Sequence, residues 1–293
     1  MINTKQDNLL FQHYLVVFFD HLGQRENLRK ITGIPTTEVD KQKFIDSTKE
    51  SVGRVLNIRD SFMNYFEAAS TYVPDATLVP PEFRDEFLAS QKRTAINVYG
   101  ISDAIIIAVP LMSTDENCSA INGIHDAFVA TCGIGLLSLS IHIPMRAGLD
   151  VGMATQIDER EIYGPALESA FYLESKLAEY PRFLVGKELI NYLLWVENQQ
   201  CTTRIGAVAK ETAKYCREMV IQDTDGRFML DFLGAKIKES SENVIDTKLV
   251  ASALEFVIDQ YKKYLSDEND KLASRYYRLL RYIQSRKKIW NIN

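Results

Sequence analysis

Val16-Val17-Phe18-Phe19-Asp20-His21-Leu22-Gly23 sets four apolar residues in a row before a single carboxylate, and Tyr99-Gly100-Ile101-Ser102-Asp103-Ala104-Ile105-Ile106-Ile107 sets a carboxylate before another apolar run. Continuous apolar runs bounded by turn residues read as strands buried on both faces. An ionised carboxylate at the end of such a strand is costly unless something positive meets it, and a divalent metal ion is the natural candidate. The first strand is expected over residues 13–19. Residues 94–98 and 104–109 are expected to pair as a hairpin with Asp103 near its tip.

Working outward, Phe44, Ile45, Thr48, Val52, Val55, Leu56, Phe62, Tyr65 and Phe66 recur at three- and four-residue steps, which predicts a long amphipathic helix from about Thr37. Pro74, Pro80 and Pro81 mark an irregular link, because proline removes a donor and moves its predecessor out of the helical region. A second helix is expected over 117–141, weakened by Gly123, Gly133 and Gly135, each costing about 1 kcal/mol relative to Ala. Residues 145–153 read as a strand. Pro165 opens a helix running to Glu179, residues 182–185 a short strand, and residues 187–196 a further helix. The order β, α, β, β, α, β, α, β predicts an α+β fold of the ferredoxin-like split βαβ kind. Beyond about Glu211 the pattern changes to a hairpin through Asp223-Thr224-Asp225-Gly226 and a terminal helix with a polar break at 267–271. That helix reads first as a packing element, with a dimerisation arm or an effector-facing surface as the alternatives.

With 293 residues and 46% apolar content the chain can bury a substantial core. A net charge of −5 and a pI near 5.5 advertise neither nucleic acid nor anionic membrane as a partner, so any phosphate site must be local. The longest apolar runs fall short of the roughly 20 residues that span a bilayer. The N-terminus lacks a secretory pattern, and the four cysteines show no metal spacing, so reduced thiols in a cytoplasmic protein are expected. His13, His125 and His142 lie scattered on apolar segments and read as core or surface histidines.

Two aspartates on neighbouring strand ends suit phosphoryl chemistry on a nucleotide, where a pair of metal ions activates an attacking hydroxyl and neutralises the leaving phosphate. Without metal, the two carboxylates repel and at least one pKa rises. Gly23 lets backbone amides approach triphosphate oxygens, and the turn from Gln24 to Arg29 is placed to supply them.

The pattern resembles the class III nucleotidyl cyclases, whose first metal aspartate lies in a strand ending F-x-D-x-x-G and whose second lies in a hairpin. Met145-Arg146-Ala147-Gly148-Leu149-Asp150-Val151-Gly152 is similar to that family's R-x-G-I-x-x-G strand. Gly164-Pro165-Ala166-Leu167-Glu168-Ser169-Ala170-Phe171-Tyr172-Leu173-Glu174-Ser175 resembles its G-x-A-V-N-x-A-A-R-L-E helix without gaps. More narrowly, Phe-Asp-x-Leu-Gly, Ser-Asp, the Gly-Pro-Ala-Leu helix and Glu179-Tyr180-Pro181-Arg182 resemble the bacterial pyrimidine cyclases of Pycsar antiphage defence. The resemblance covers roughly residues 12–190. It implies a cyclase catalytic domain over 10–200, with a C-terminal hairpin and helical extension over 201–293 packed on it.

The resemblance implies that Asp20 and Asp103 bind two Mg²⁺ or Mn²⁺ ions, with the His21 carbonyl as a further ligand. It implies a homodimer with active sites across the interface, a nucleoside triphosphate substrate, and attack of a ribose 3′-hydroxyl on the α-phosphorus. The product would be cyclic UMP, or cyclic CMP from CTP, and this diffusible messenger would reach a separate effector, with no nucleic acid or membrane engaged. The chain departs from the adenylyl cyclase pattern at the base-reading lysine, here Tyr99, whose acidic or threonine partner aligns with Glu161. Tyr and Glu would not read adenine in the usual way; they suit a smaller pyrimidine through stacking and one acceptor. The family's helix asparagine is Glu168 and its transition-state arginine is Tyr172, which supplies no cation. Arg93, Arg146 and Arg182 are the substitutes the sequence offers. A cyclase-like nucleotide-binding module without turnover and a purine cyclase stand as alternatives.

Overall fold

The computed structural model describes residues 9–23, 34–71, 81, 84–85, 96–112, 120–157, 161–241 and 245–292. Strand β1 (Phe11–His21) lies between β3 (Ala104–Pro110) and β4 (Met145–Ile157), antiparallel to both, and this central place buries residues 14–21 without a break. Strand β2 (Asn97–Ile101) closes a hairpin onto β3 through a two-residue loop, Ser102-Asp103. Helix α1 (Glu38–Thr71) lies in the chain between β1 and β2, and α2 (Ala120–Ser140) between β3 and β4. The spatial order β2-β3-β1-β4 therefore interleaves two β-α-β units, the expected split arrangement, within a mixed α+β fold.

The period-two alternation of strands sorts the core into two layers. Leu15, Val17 and Phe19 join Ile105, Ile107 and Val109 under the helices, where Ile58, Phe62 and Phe66 of α1 and most of α2 bury their apolar faces. Tyr14, Val16 and Phe18 point the other way, with Tyr99, Ala104, Ile106 and Ala108, beneath α3 (Pro165–Tyr172). Helix α2 is long and apolar enough to cross a bilayer, but it is enclosed in the core. Only the second half of α1 packs on the sheet: Phe44, Ile45, Val52 and Leu56 are exposed. At 34 residues the helix is about 51 Å long, more than the sheet can cover. Thr37 caps it, accepting from the Asp40 amide at 3.1 Å and donating to the Asp40 carboxylate at 2.6 Å.

Close approach of α3 to β4 depends on Gly148, where a Cβ would lie 2.1 Å from the Ala170 carbonyl and 2.7 Å from the Leu173 Cβ. Strand β4 continues past the expected end at Met153 because β5 (Glu161–Tyr163) pairs with Thr155–Ile157. Helix α3 runs into a π-helical turn, Leu173–Leu177, and β6 (Phe183–Val185) then lies parallel to β4. Helix α4 (Lys187–Glu197) follows, and after it α5 (Arg204–Glu218), an element the sequence reading does not anticipate. Its apolar stripe is short and its residues small, but Thr203 accepts from the Gly206 amide at 3.1 Å and starts it. Strands β7 (Val220–Gln222) and β8 (Phe228–Leu230) continue the same sheet beyond β6.

The stripe read as one terminal helix, Val250 to Ile283, is two helices, and a short one precedes them. After α6 (Ala235–Ser240), α7 (Thr247–Ser266) and α8 (Asp270–Arg286) are separated by the cap of Asn269, whose side chain accepts from Leu272 at 3.2 Å. Both long helices bury apolar faces, Val250, Leu254 and Val257 on α7 and Tyr276, Leu279 and Ile283 on α8, so they pack against the body of the protein.

Candidate active site

Asp20 and Asp103 come together at one end of the sheet. Phe19 pairs with Ile105 in the β1–β3 ladder, so the two aspartates stand one and two residues beyond a shared rung. Asp103 sits in the tight loop beside Ser102, whose φ of 58° is in the left-handed region; for a residue with a Cβ this costs about 1–2 kcal/mol. Gly23, two residues past the end of β1, adopts φ 88°, which suits glycine and turns the chain sharply away from the strand. Gln24, like Arg93, lies outside the described residues.

Each aspartate meets a different environment. Asp20 is 9% exposed and faces Arg146 across the β1–β4 ladder, with Arg146 Nη2 3.1 Å from Asp20 Oδ2. The same guanidinium brings Nε to 2.5 Å from Glu174 Oε1 and donates from Nη1 to the Ala178 carbonyl at 3.2 Å. Glu174 is buried in the π-helical turn, and its carboxyl is pushed up to about 7, chiefly by burial and further by Asp20, against the pull of Arg146. Asp103 Oδ2, by contrast, is buried with no hydrogen-bond partner. His21 is buried beside the pair with both ring nitrogens unpartnered. Burial lowers its pKa, Asp103 and Asp20 oppose that, and Arg54 of α1 adds to it, so the imidazole is neutral at pH 7.

An orphaned carboxylate oxygen at a buried sheet end is what a cation would satisfy, so Asp103 fits a metal site. Asp20 fits one only if Arg146 yields its Oδ2. Among the described residues no three His, Cys, Asp or Glu side chains form a closed metal cage.

Tyr99 is 5% exposed, on the same sheet layer as Asp20, with its hydroxyl buried and unpartnered. Burial, then Tyr14, raises its phenol pKa to about 12, so it stays protonated and able to donate. Glu161, Glu168 and Tyr172 are exposed on β5 and α3, and among the described residues no side-chain hydrogen bond joins them to Asp20, Asp103 or Tyr99. No family model and no curated protein matches the chain.

Arg182 is committed elsewhere. Its side chain is fully buried, donates to Asp223, to Asp225 at 2.7 Å and to the Leu177 carbonyl at 2.9 Å, and stacks on the Tyr180 ring at 4.7 Å. Its Nη donors are spent inside the fold, so it is a structural cation. Two charged groups at this sheet end are not among the sequence-predicted site residues, Glu174, which closes the Gly164–Glu174 motif, and Arg54. Both sit inside helical patterns as ordinary charged positions, and only the fold brings them to the sheet end. Asp150, a third buried carboxylate, accepts from Ser169 Oγ at 2.5 Å, Leu189 N at 2.8 Å and Val151 N at 2.9 Å; it ties β4 to α3 and α4. Of the histidines, His125 lies within hydrogen-bonding distance of Asp126 and Ser240, and His142 stacks on Phe256.

Proposed function

We propose that this protein is a metal-dependent pyrimidine nucleotide cyclase of the class III kind, converting UTP, or alternatively CTP, into the 3′,5′-cyclic monophosphate and diphosphate. The observation that carries the reading is the pair Asp20 and Asp103 at adjoining strand ends of an interleaved β-α-β sheet, one of them with an unsatisfied buried oxygen. The motifs around Arg146–Gly152 and Gly164–Glu174 and the four-motif order support the assignment to that family and to antiphage signalling through a separate effector.

Asp20 and Asp103, with the His21 carbonyl, would hold Mg²⁺ or Mn²⁺, which acidifies the 3′-hydroxyl and offsets charge on the triphosphate. The 3′-oxygen forms a bond to the α-phosphorus, the bond to the β-phosphate bridging oxygen breaks, and the hydroxyl proton leaves to solvent as diphosphate departs. The turn at Gly23 presents backbone toward the phosphates. Tyr99 donates its buried hydroxyl to the base, and Glu161, Glu168 and Tyr172 act from the second protomer. Exposed Tyr163, Phe171 and Tyr172 supply an apolar surface for that homodimer.

One observation favours a second reading. Arg146 forms an ion pair with Asp20 at 3.1 Å, as expected of a cyclase-like module that binds nucleotide and regulates a partner without turnover. Incubating the purified protein with each of the four ribonucleoside triphosphates and Mn²⁺, and resolving products by mass, separates the readings. Cyclic UMP or cyclic CMP is expected. A cyclic purine product moves the specificity, and nucleotide binding with no product supports the regulatory module.

A further inference from the structure

Arg146 stands between two carboxylates, 3.1 Å from Asp20 Oδ2 and 2.5 Å from Glu174 Oε1. Arg146 holds Asp20 Oδ2, and a guanidinium and a divalent cation held on one carboxylate repel each other. We propose that Glu174 is a positioning residue that draws Arg146 off Asp20 when a divalent cation binds, and that the C-terminal hairpin holds Glu174 in place for this exchange. The inference rests on Asp20 being a cation ligand, as in the function proposed above.

Three features of the fold support it. Glu174 is 1% exposed and meets Nε, whereas Asp20 meets Nη2, so Arg146 can keep one ionic partner while losing the other. It belongs to the π-helical turn Leu173–Leu177, and an i to i+5 turn places side chains differently from the α-helix that leads into it. The end of that turn is clamped by the extension: Arg182 holds the Leu177 carbonyl at 2.9 Å and is itself held by Asp223 and Asp225. Tyr180 donates to Asp223 at 2.6 Å and lies between the guanidinium groups of Arg182 at 4.7 Å and Arg278 at 4.9 Å. Polar contacts thus run from α8 through the β7–β8 hairpin to the Leu177 carbonyl, one residue before the Ala178 carbonyl to which Arg146 donates.

The test is Mn²⁺ binding to the full chain without nucleotide, followed by electron paramagnetic resonance. The proteins are wild type, Glu174→Gln, Arg146→Met, the double variant, Asp225→Asn and Asp20→Asn. Glu174→Gln is expected to weaken Mn²⁺ binding about tenfold, and in the Arg146→Met background the same change should have little effect, a coupling only a double-mutant cycle isolates. Asp225→Asn, outside the site, should weaken binding in the same direction by a smaller factor while circular dichroism stays native. Equal weakening by Glu174→Gln in both backgrounds overturns the proposal, since Glu174 would then act as a nearby negative charge alone. An unmoved affinity in Asp225→Asn overturns the part given to the hairpin. Wild-type binding that Asp20→Asn leaves intact, or no binding at all, overturns the assignment of Asp20 and the exchange with it.

Discussion

Replacing Arg182 by alanine removes the one cation that two aspartates, a backbone carbonyl and a tyrosine face share. Its side chain is fully buried, and those of Asp223 and Asp225 are 11% and 19% exposed, so the variant leaves the two carboxylates with poor access to water and, among the described residues, only the partly exposed Arg278, at 3.9 and 3.4 Å, and Arg227, at 2.7 Å from Asp225, as cationic partners. Removing one partner of a buried pair costs about 3–5 kcal/mol, against about 0–1 kcal/mol for an exposed one. For a chain of this size that corresponds to roughly 6–20 °C in Tm. The pH dependence gives a second signature. Burial alone would raise the pKa of Asp223, but Tyr180, the Thr224 amide and Arg182 outweigh it and lower the value; for Asp225, Arg182 and Arg227 likewise overcome burial. A lowered folded pKa contributes stability that is full above the ordinary aspartate value of about 3.9 and lost as pH falls through the folded value. Urea unfolding followed by circular dichroism at pH 7 and at steps from pH 5 to pH 3 should show wild type losing stability over that acid range. Arg182→Ala should start lower and lose less. A loss under about 1 kcal/mol at pH 7 with an unchanged acid slope would refute the reasoning.

Three further outcomes follow from single positions. Gly148→Ala places a Cβ 2.1 Å from the Ala170 carbonyl and should cost about 1–3 kcal/mol or more, read as a lower urea midpoint; a neutral result would mean that α3 does not lie on β4 as described. Ser102→Gly relieves the φ of 58° in the Asp103 loop and should leave thermal stability equal or raise it by up to about 1 kcal/mol, whereas Ser102→Val should lower it by about 1–2 kcal/mol. Tyr99→Phe removes a buried hydroxyl that lacks a partner and should not destabilise the protein, while changing the ratio of kcat/KM for UTP and CTP; a marked fall in Tm or an unchanged ratio counts against the hydroxyl as base donor.

The central sheet was legible because its strands are buried on both faces and so carry uninterrupted apolar runs, as at 14–19 and 104–109. The Asp103 hairpin was legible in outline, but its first strand runs over Asn97–Ile101 where 94–98 was expected, and its loop is Ser102-Asp103 alone, because backbone pairing with β3 continues through Gly100 and Ile101. Other features depend on contacts that local pattern does not encode. Strand β5 exists only through its three rungs on β4, so Glu161, in what reads as a charged turn, begins a strand. The stripe on α1 is apolar along its whole length, yet the sheet ends beneath it and leaves Val52 and Leu56 in water. Arg182 and Arg146 looked alike as free cations; the first is consumed by aspartates of a hairpin more than forty positions away, the second by a residue opposite it and another on a π-helical turn. Glu174 showed only as the last residue of the Gly164–Glu174 motif, since a glutamate within a helix is ordinarily solvated and only Gly148, by admitting α3 close to β4, brings it to Arg146.

The central claim is that Asp20 and Asp103 together hold the cations for cyclisation. The most direct measurement is the yield of cyclic pyrimidine nucleotide from UTP and CTP with Mn²⁺ for wild type and Asp103→Ala, in preparations matched for folding and oligomeric state. The account predicts cyclic product from wild type and its loss, by at least about a hundredfold, from Asp103→Ala. Equal product from both proteins would contradict it.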